Sequence, residues 1–198
     1  MHYLFTTQVY QKKILFDLKD LRAEILHLSK VDREGIAWSK KHYGNGYTSY
    51  GSLDQLHRFS STFTELEKKI KRHVLTFAKN LEFDLPKEAL FMNSCWANIM
   101  PPGAQHTSHL HPHSVISGTY YVVIPPRSSP IQFEDPRLGL FMNAPLIKAN
   151  AKIENQRNFT LEPSAGDLIL FESWLKHEVP RNNSKKPRMS VSFNYGWK

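Results

Sequence analysis

Near residue 90 the hydrophobic period of this chain changes, which divides it into a helical part and a β part. Before it, apolar residues recur at helical spacing. After it, the chain breaks into short β-branched and aromatic runs separated by Pro, Gly and polar turns: Cys95 to Met100, Ile116 to Ile124, Ile131 to Phe133, Asn158 to Leu161, Asp167 to Phe171 and Met189 to Tyr195. Many short strands punctuated in this way argue for a sandwich, barrel or jelly roll. No internal repeat and no linker divides the two parts. The expectation is a single domain over 1–198, mainly β with flanking helices (α+β), in which a helical buttress with a lid loop (1–90) packs on one face of a β core (91–198).

The helical part is marked by its caps. After a stretch from Tyr3 to Leu15 that suits an edge strand, Asp17 can cap a helix carrying Leu18, Leu21, Ile25 and Leu28 on one stripe. Thr62 and Glu65 form a capping box before a second stripe of Phe63, Leu66, Ile70, Val74 and Phe77, with Glu67, Lys68, Lys71 and Lys79 largely outside it. Between them, residues 38–51 are rich in Gly and small polar residues and predict a loop. Its Tyr43, Tyr47 and Tyr50 either cover a ligand, with Gly44 to Gly51 as the lid, or pack locally on the surface.

Composition narrows the classes further. Hydrophobic residues make up 40% of 198, enough for a core, and the formal charge is +8. The basic residues are scattered, without a zinc finger, RNP motif or continuous basic helix, which argues against a nucleic-acid partner. No apolar run reaches membrane-spanning length, and Met1 to Gln8 lacks the charged and apolar regions of a signal peptide, so a cytoplasmic protein with no membrane partner is expected. Cys95 is the only cysteine; it has no intramolecular disulfide partner and no convincing base.

The chemistry concentrates in the histidines. An even spread of the ten would put fewer than one in any eight-residue window, yet His106, His109, His111 and His113 share one. If His109-Leu110-His111 lies on a strand, residues i and i+2 project from one face and both imidazoles can reach one metal. His177 is a third donor, delivered to a barrel mouth by a turn, the buried strand 167–171 and a second turn. His106 and His113 read as rim or surface residues. Eleven residues beyond His177, Arg188 begins a strand whose alternation puts Arg188, Ser190, Ser192 and Asn194 on one face and Val191, Phe193 and Tyr195 on the other. An Arg at the head of an inward polar row is a carboxylate clamp. Trp96 and Asn98 share a face of the preceding strand, and Asn98 can line a cofactor pocket.

Five ordered blocks, His109-Leu110-His111-Pro112, Ser117-Gly118-Thr119-Tyr120-Tyr121-Val122, Phe133-Glu134-Asp135-Pro136-Arg137, Ser173-Trp174-Leu175-Lys176-His177 and Arg188 through Asn194, resemble the 2-oxoglutarate/Fe(II)-dependent oxygenases of the prolyl-hydroxylase type. Within that superfamily they look like a family of bacterial and phage proteins. The resemblance runs from about Cys95 to Tyr195 and implies a double-stranded β-helix, a jelly-roll or cupin-like barrel. It implies Fe(II) held by His109 and His177, 2-oxoglutarate as cosubstrate gripped by Arg188 with Tyr121 and Ser192, and O2 as oxidant. His111 stands where the superfamily usually has Asp or Glu. It is the favoured third ligand, with Glu134 or Asp135 as replacement or as a partner to a ligating imidazole.

The implied function is a dioxygenase that hydroxylates a small-molecule or peptide substrate, with a homodimer as a candidate assembly. Substrate would enter at the His106 to Ser114 turn. Two other readings compete. One is a cupin-like three-histidine dioxygenase that uses no 2-oxo acid, although Val115 and Ile116 stand where cupins usually place a Glu. The other is a jelly-roll module whose metal is structural.

Overall fold

A computed structural model describes residues 1–43 and 45–198; Gly44, the first residue of the expected lid, lies outside them. The chain runs β1 (Val9–Lys13), α1 (Leu18–Val31), α2 (Arg33–His42), β2 (Tyr47–Thr48), α3 (Leu56–Phe59), α4 (Ser61–Asn80), β3 (Leu90–Met100), β4 (His106–His109), β5 (Ile116–Val123), β6 (Ile131–Glu134), β7 (Asn158–Leu161), β8 (Asp167–Glu172), β9 (His177–Val179) and β10 (Arg188–Trp197). Two antiparallel sheets result, one ordered β1-β8-β5-β10-β3-β2 and the other β4-β9-β6-β7. The six strands expected of the β part are present, extended at some ends, the expected N-terminal edge strand is β1, and three short ones (β2, β4 and β9) join them. β2 and β9, at two and three residues, are too short to show alternation, and β4 (His106–His109) lacks the β-branched and aromatic run that marked the others.

Alternation on the six-stranded sheet sorts two cores. Leu168 and Leu170 of β8, Tyr120 and Val122 of β5, and Val191, Phe193 and Tyr195 of β10 meet Leu21, Ile25, Phe63, Leu66, Ile70, Val74 and Phe77 from the helices. The opposite face contributes Tyr121, Ile169 and Phe171, which pack with Ile131, Phe133 and Leu175 between the sheets. The helices thus buttress one face of the β core, and the site lies on the other. Burying each such side chain contributes about 1.5–3 kcal/mol.

Asp17 caps α1 as expected, accepting from the Lys19 and Asp20 amides. The capping box of α4 does not form. Its N-cap is Ser60, whose hydroxyl accepts from Phe63 N at 3.3 Å, while Glu65 pairs with Lys68. The short helix α3 ends at Ser60, so one residue closes it and opens the next, leaving Thr62 inside α4.

The expected loop over residues 38–51 is also corrected. Trp38 to His42 continue α2, and Tyr47–Thr48 form β2 on the edge of the large sheet. Contacts across the turn stabilise this segment despite its composition. Ser39 Oγ accepts from Thr48 N at 2.9 Å, and Gly51 lies so close to the Trp38 indole that a Cβ there would sit 2.4 Å from it. Buried Asp32 caps α2 and also accepts from the hydroxyls of Tyr47 (2.9 Å) and Ser52 (2.6 Å), tying the turn to the helix. Among the described residues no helix is long and apolar enough to cross a membrane.

Ile70→Ala should lower the unfolding free energy by about 2–5 kcal/mol, and the exposed Lys69→Ala by less than about 0.5 kcal/mol, both read from urea denaturation. Cys95 is buried and burial pushes its thiol well up from the ordinary value. A thiol reagent should therefore label the urea-unfolded protein stoichiometrically and leave the native protein unlabelled; rapid native labelling would contradict this packing.

Candidate active site

Two loop crossings and one strand pair bring the three histidines together. His109 ends β4 and lies directly across the ladder from His177, the first residue of β9, while Phe133 of β6 flanks His177 on the other side. His111 is beyond the strand, where its amide donates to Ser173 O at 2.9 Å and ties this loop to the turn after β8. The i, i+2 geometry expected of a strand is thus replaced by a loop anchored to Ser173, with Leu110 turned outward and half exposed. The ring centroids of His109, His111 and His177 lie 4.3–5.2 Å apart. One nitrogen from each falls within 4.8 Å of the other two, a spacing that can hold a metal ion.

Each ring presents the same nitrogen to an oxygen acceptor. Nδ1 lies 2.8 Å from Thr107 O in His109, 3.0 Å from Leu175 O in His177 and 2.5 Å from Asn194 Oδ1 in His111. A proton on Nδ1 satisfies all three contacts and leaves the Nε2 lone pairs free, the arrangement a metal requires. Burial keeps the rings neutral as well. It holds His177 down to about 3, helped by the adjacent His109, and it lowers His109 and His111 against the opposing hydrogen bonds from Thr107 and Asn194. Neutral imidazole is the ligating form.

Beside the cluster, Arg188 is 4% exposed and has no acidic partner among the described residues. Its guanidinium carbon sits 5.0 Å from the Tyr121 ring centroid, and Nη1 reaches only Met100 Sδ at 3.6 Å. Arg188 Nε and the Tyr121 hydroxyl are both buried without a hydrogen-bond partner among the described residues. Burial raises the Tyr121 phenol, against the pull of the Arg188 charge. A buried cation with unsatisfied donors is costly, by several kcal/mol in effective terms, unless an anion accepts from it. This pocket therefore fits a carboxylate.

Ser192 and Asn98 line the same pocket, with Asn98 Nδ2 donating to Ser192 Oγ at 3.1 Å and Thr119 Oγ1 within 3.3 Å of it. Tyr121 is hooked in place from behind: Gly166, at a φ of 86° in the turn before β8, donates its amide to Tyr121 O at 2.7 Å. Tyr120 points the other way, its hydroxyl donating to Ile14 O.

Glu134 and Asp135 stand apart from the histidine cluster. Asp135 takes a two-pronged bond from Arg137, with both contacts at 2.9 Å, and Glu134 pairs with Lys176 at 3.4 Å. His111, not either acid, joins His109 and His177 in the only metal-competent group among the described residues. Glu134 closes β6, and Asp135 to Arg137 form a polar turn with a local ion pair.

Other residues around the pocket carried weaker signals in the sequence. Tyr43 reaches the pocket from the end of α2; burial pushes its phenol up to about 12 against the pull of Arg188. Trp96 lies 6.0 Å from His111 and 5.1 Å from Tyr50 between ring centroids. His106 lines the pocket from an exposed position, and its ring centroid lies 4.2 Å from that of His109 with the planes tilted by 41°. Asn194 was visible in the alternation of Arg188, Ser190 and Ser192, a signal that placed it on the inward row without revealing its bond to His111.

Comparison with known proteins agrees with this architecture. A family model described as "Putative 2OG-Fe(II) oxygenase" matches residues 94–194. A prolyl-4-hydroxylase from Pseudomonas putida superposes with a TM-score of 0.65 at 16% identity, covering 98% of this chain and 95% of that one. HygX from Streptomyces hygroscopicus, solved with nickel and 2-oxoglutarate bound, gives 0.64 at 13% identity over 98% and 84%. The non-heme α-ketoglutarate-dependent epimerase SnoN from nogalamycin biosynthesis gives 0.68 at 14% over 96% and 76%. A comparison with curated proteins found no match. At these identities the structural likenesses establish a shared fold, the double-stranded β-helix. The sequence match spans just over half of the chain and contains every residue of the histidine cluster together with the buried arginine, and on that ground the protein belongs to the family of 2-oxoglutarate- and Fe(II)-dependent oxygenases.

Proposed function

We propose that this protein oxidises a C–H bond of a small-molecule or peptide substrate, using Fe(II) held by His109, His111 and His177 and 2-oxoglutarate held by Arg188 and Tyr121. One observation carries the reading. Three neutral imidazoles, each with Nδ1 turned to an oxygen, adjoin a buried guanidinium that has no acid to neutralise it. When bound, the ferrous ion and its 2-oxo acid supply the oxidising chemistry that activates dioxygen.

The chain's own residues bind and orient. The three Nε2 atoms would hold the ferrous ion, which with its cosubstrate would supply the chemistry toward O2. Arg188 Nε and the Tyr121 hydroxyl, both without partners, can donate to the far carboxylate of the diacid. Ser192 and Asn98 add polar contacts along the same wall. Charge balance supports the assignment: with no carboxylate in the histidine cluster, a dication and Arg188 together favour a dianionic cosubstrate over a neutral one. Tyr43 and Trp96 line the same pocket.

The reading treats residues 1–90 and 91–198 as one domain, supported by the core they share. It extends to a cytoplasmic protein, a setting that suits an unpaired thiol.

With Fe(II) under anaerobic conditions, 2-oxoglutarate should bind the wild type, and Arg188→Ala should weaken that binding at least about 30-fold, as expected when one partner of a buried charge pair is removed. Undiminished binding in the variant would overturn the clamp. His177→Ala should lose stoichiometric metal, as read by elemental analysis after loading. Oxygen uptake that proceeds without 2-oxoglutarate would favour the three-histidine dioxygenase instead. A closed site with four protein ligands would favour a structural metal.

A further inference from the structure

We propose that Asn194 is the positioning residue that makes a histidine competent as third donor at 111, by accepting the Nδ1 proton that no backbone carbonyl takes. The inference rests on the metal-binding reading above. His109 and His177 solve the tautomer problem locally, each turning Nδ1 to the carbonyl two residues before it. At His111 the acceptor is a side chain 83 residues away, Asn194 Oδ1. Without an acceptor at that place, His111 gains nothing from carrying its proton on Nδ1, and the alternative tautomer puts N–H where the metal needs a lone pair.

The surroundings of Asn194 match the amide orientation this requires. Oδ1 accepts from Ser117 Oγ at 2.7 Å as well as from His111, and Nδ2 donates to Ser94 Oγ at 2.9 Å. Because Ser117 spends its proton on Asn194, the 2.7 Å contact between Ser117 and Ser173 has Ser173 as donor. The backbone carbonyl of the same Ser173 accepts the His111 amide, so one turn steadies both ends of the arrangement. Ser117, Ser173 and Asn194 are all buried, which makes each missed hydrogen bond costly.

The experiment compares Asn194→Leu, which removes the acceptor at similar size, with Asn194→Asp, which can only accept. Binding of Co(II) or Ni(II), followed by absorption or calorimetry, should weaken about 10- to 100-fold in the Leu variant and be retained or tightened in the Asp variant. Equal binding by Asn194→Leu and wild type would overturn the proposal, as would an Asp variant weakened as much as the Leu variant, since packing alone would then explain both. Nitrogen-15 NMR of the metal-free wild type gives an independent readout: His111 should be the Nδ1–H tautomer, and finding the Nε2–H form overturns the proposal even if Asn194→Leu fails to fold. A wild type that binds no divalent metal but shows the Nδ1–H tautomer, redistributed in Asn194→Leu, would sink the metal reading and leave the positioning role standing.

Discussion

Period-two alternation along β10 couples stability to the site. Its inner neighbours are β3 and β5, and its side chains divide cleanly. Val191, Phe193 and Tyr195 enter the core under the helices, while Arg188, Ser190 and Ser192 line the pocket and Asn194 holds His111. A slip of one residue would send the guanidinium into the apolar core and Phe193 into the pocket. Burial of the three apolar residues therefore fixes the register that aims the polar ones, and precise placement of Arg188 follows from packing it never touches.

Electrostatics explain why the pocket favours a charged ligand. Four histidines and an arginine share a space without an acid among the described residues that line it, and mutual proximity adds to burial in lowering His106, His111 and His177, while burial lowers His109. The imidazoles escape the conflict by staying neutral, and those of His109, His111 and His177 each share a proton with an oxygen. Arg188 cannot, because guanidinium does not lose its proton in proteins. The one charge there that cannot be discharged is thus the place where an anion would be stabilised, and its neighbour Tyr121 faces it with a second donor unsatisfied among the described residues.

Much of the site could be read in the chain because its elements are strands and turns with local rules. His109, His177, Arg188, Tyr121, Ser192 and Asn98 all meet in one pocket. The readings that failed were those in which distant contacts outweigh composition. Residues 38–42 stay helical because Ser39 grips the Thr48 backbone and Trp38 covers Gly51. Ser60 takes the cap in place of Thr62 because α3 ends on it. Tyr47, a candidate to cover a ligand, instead bonds to Asp32.

From sequence alone came the change of period, the two faces of β10, and the identity of the imidazoles and guanidinium available for chemistry. These depend on neighbours two to four residues apart, which any stretch of chain carries with it. Only the folded molecule decided that His111 joins the cluster from a loop and not a strand, that Glu134 and Asp135 are held elsewhere, and that Asn194 supplies what His111 lacks. Those outcomes turn on which proton meets which acceptor across 83 residues of chain, and hydrogen bonds of that reach exist only once the sheets have closed.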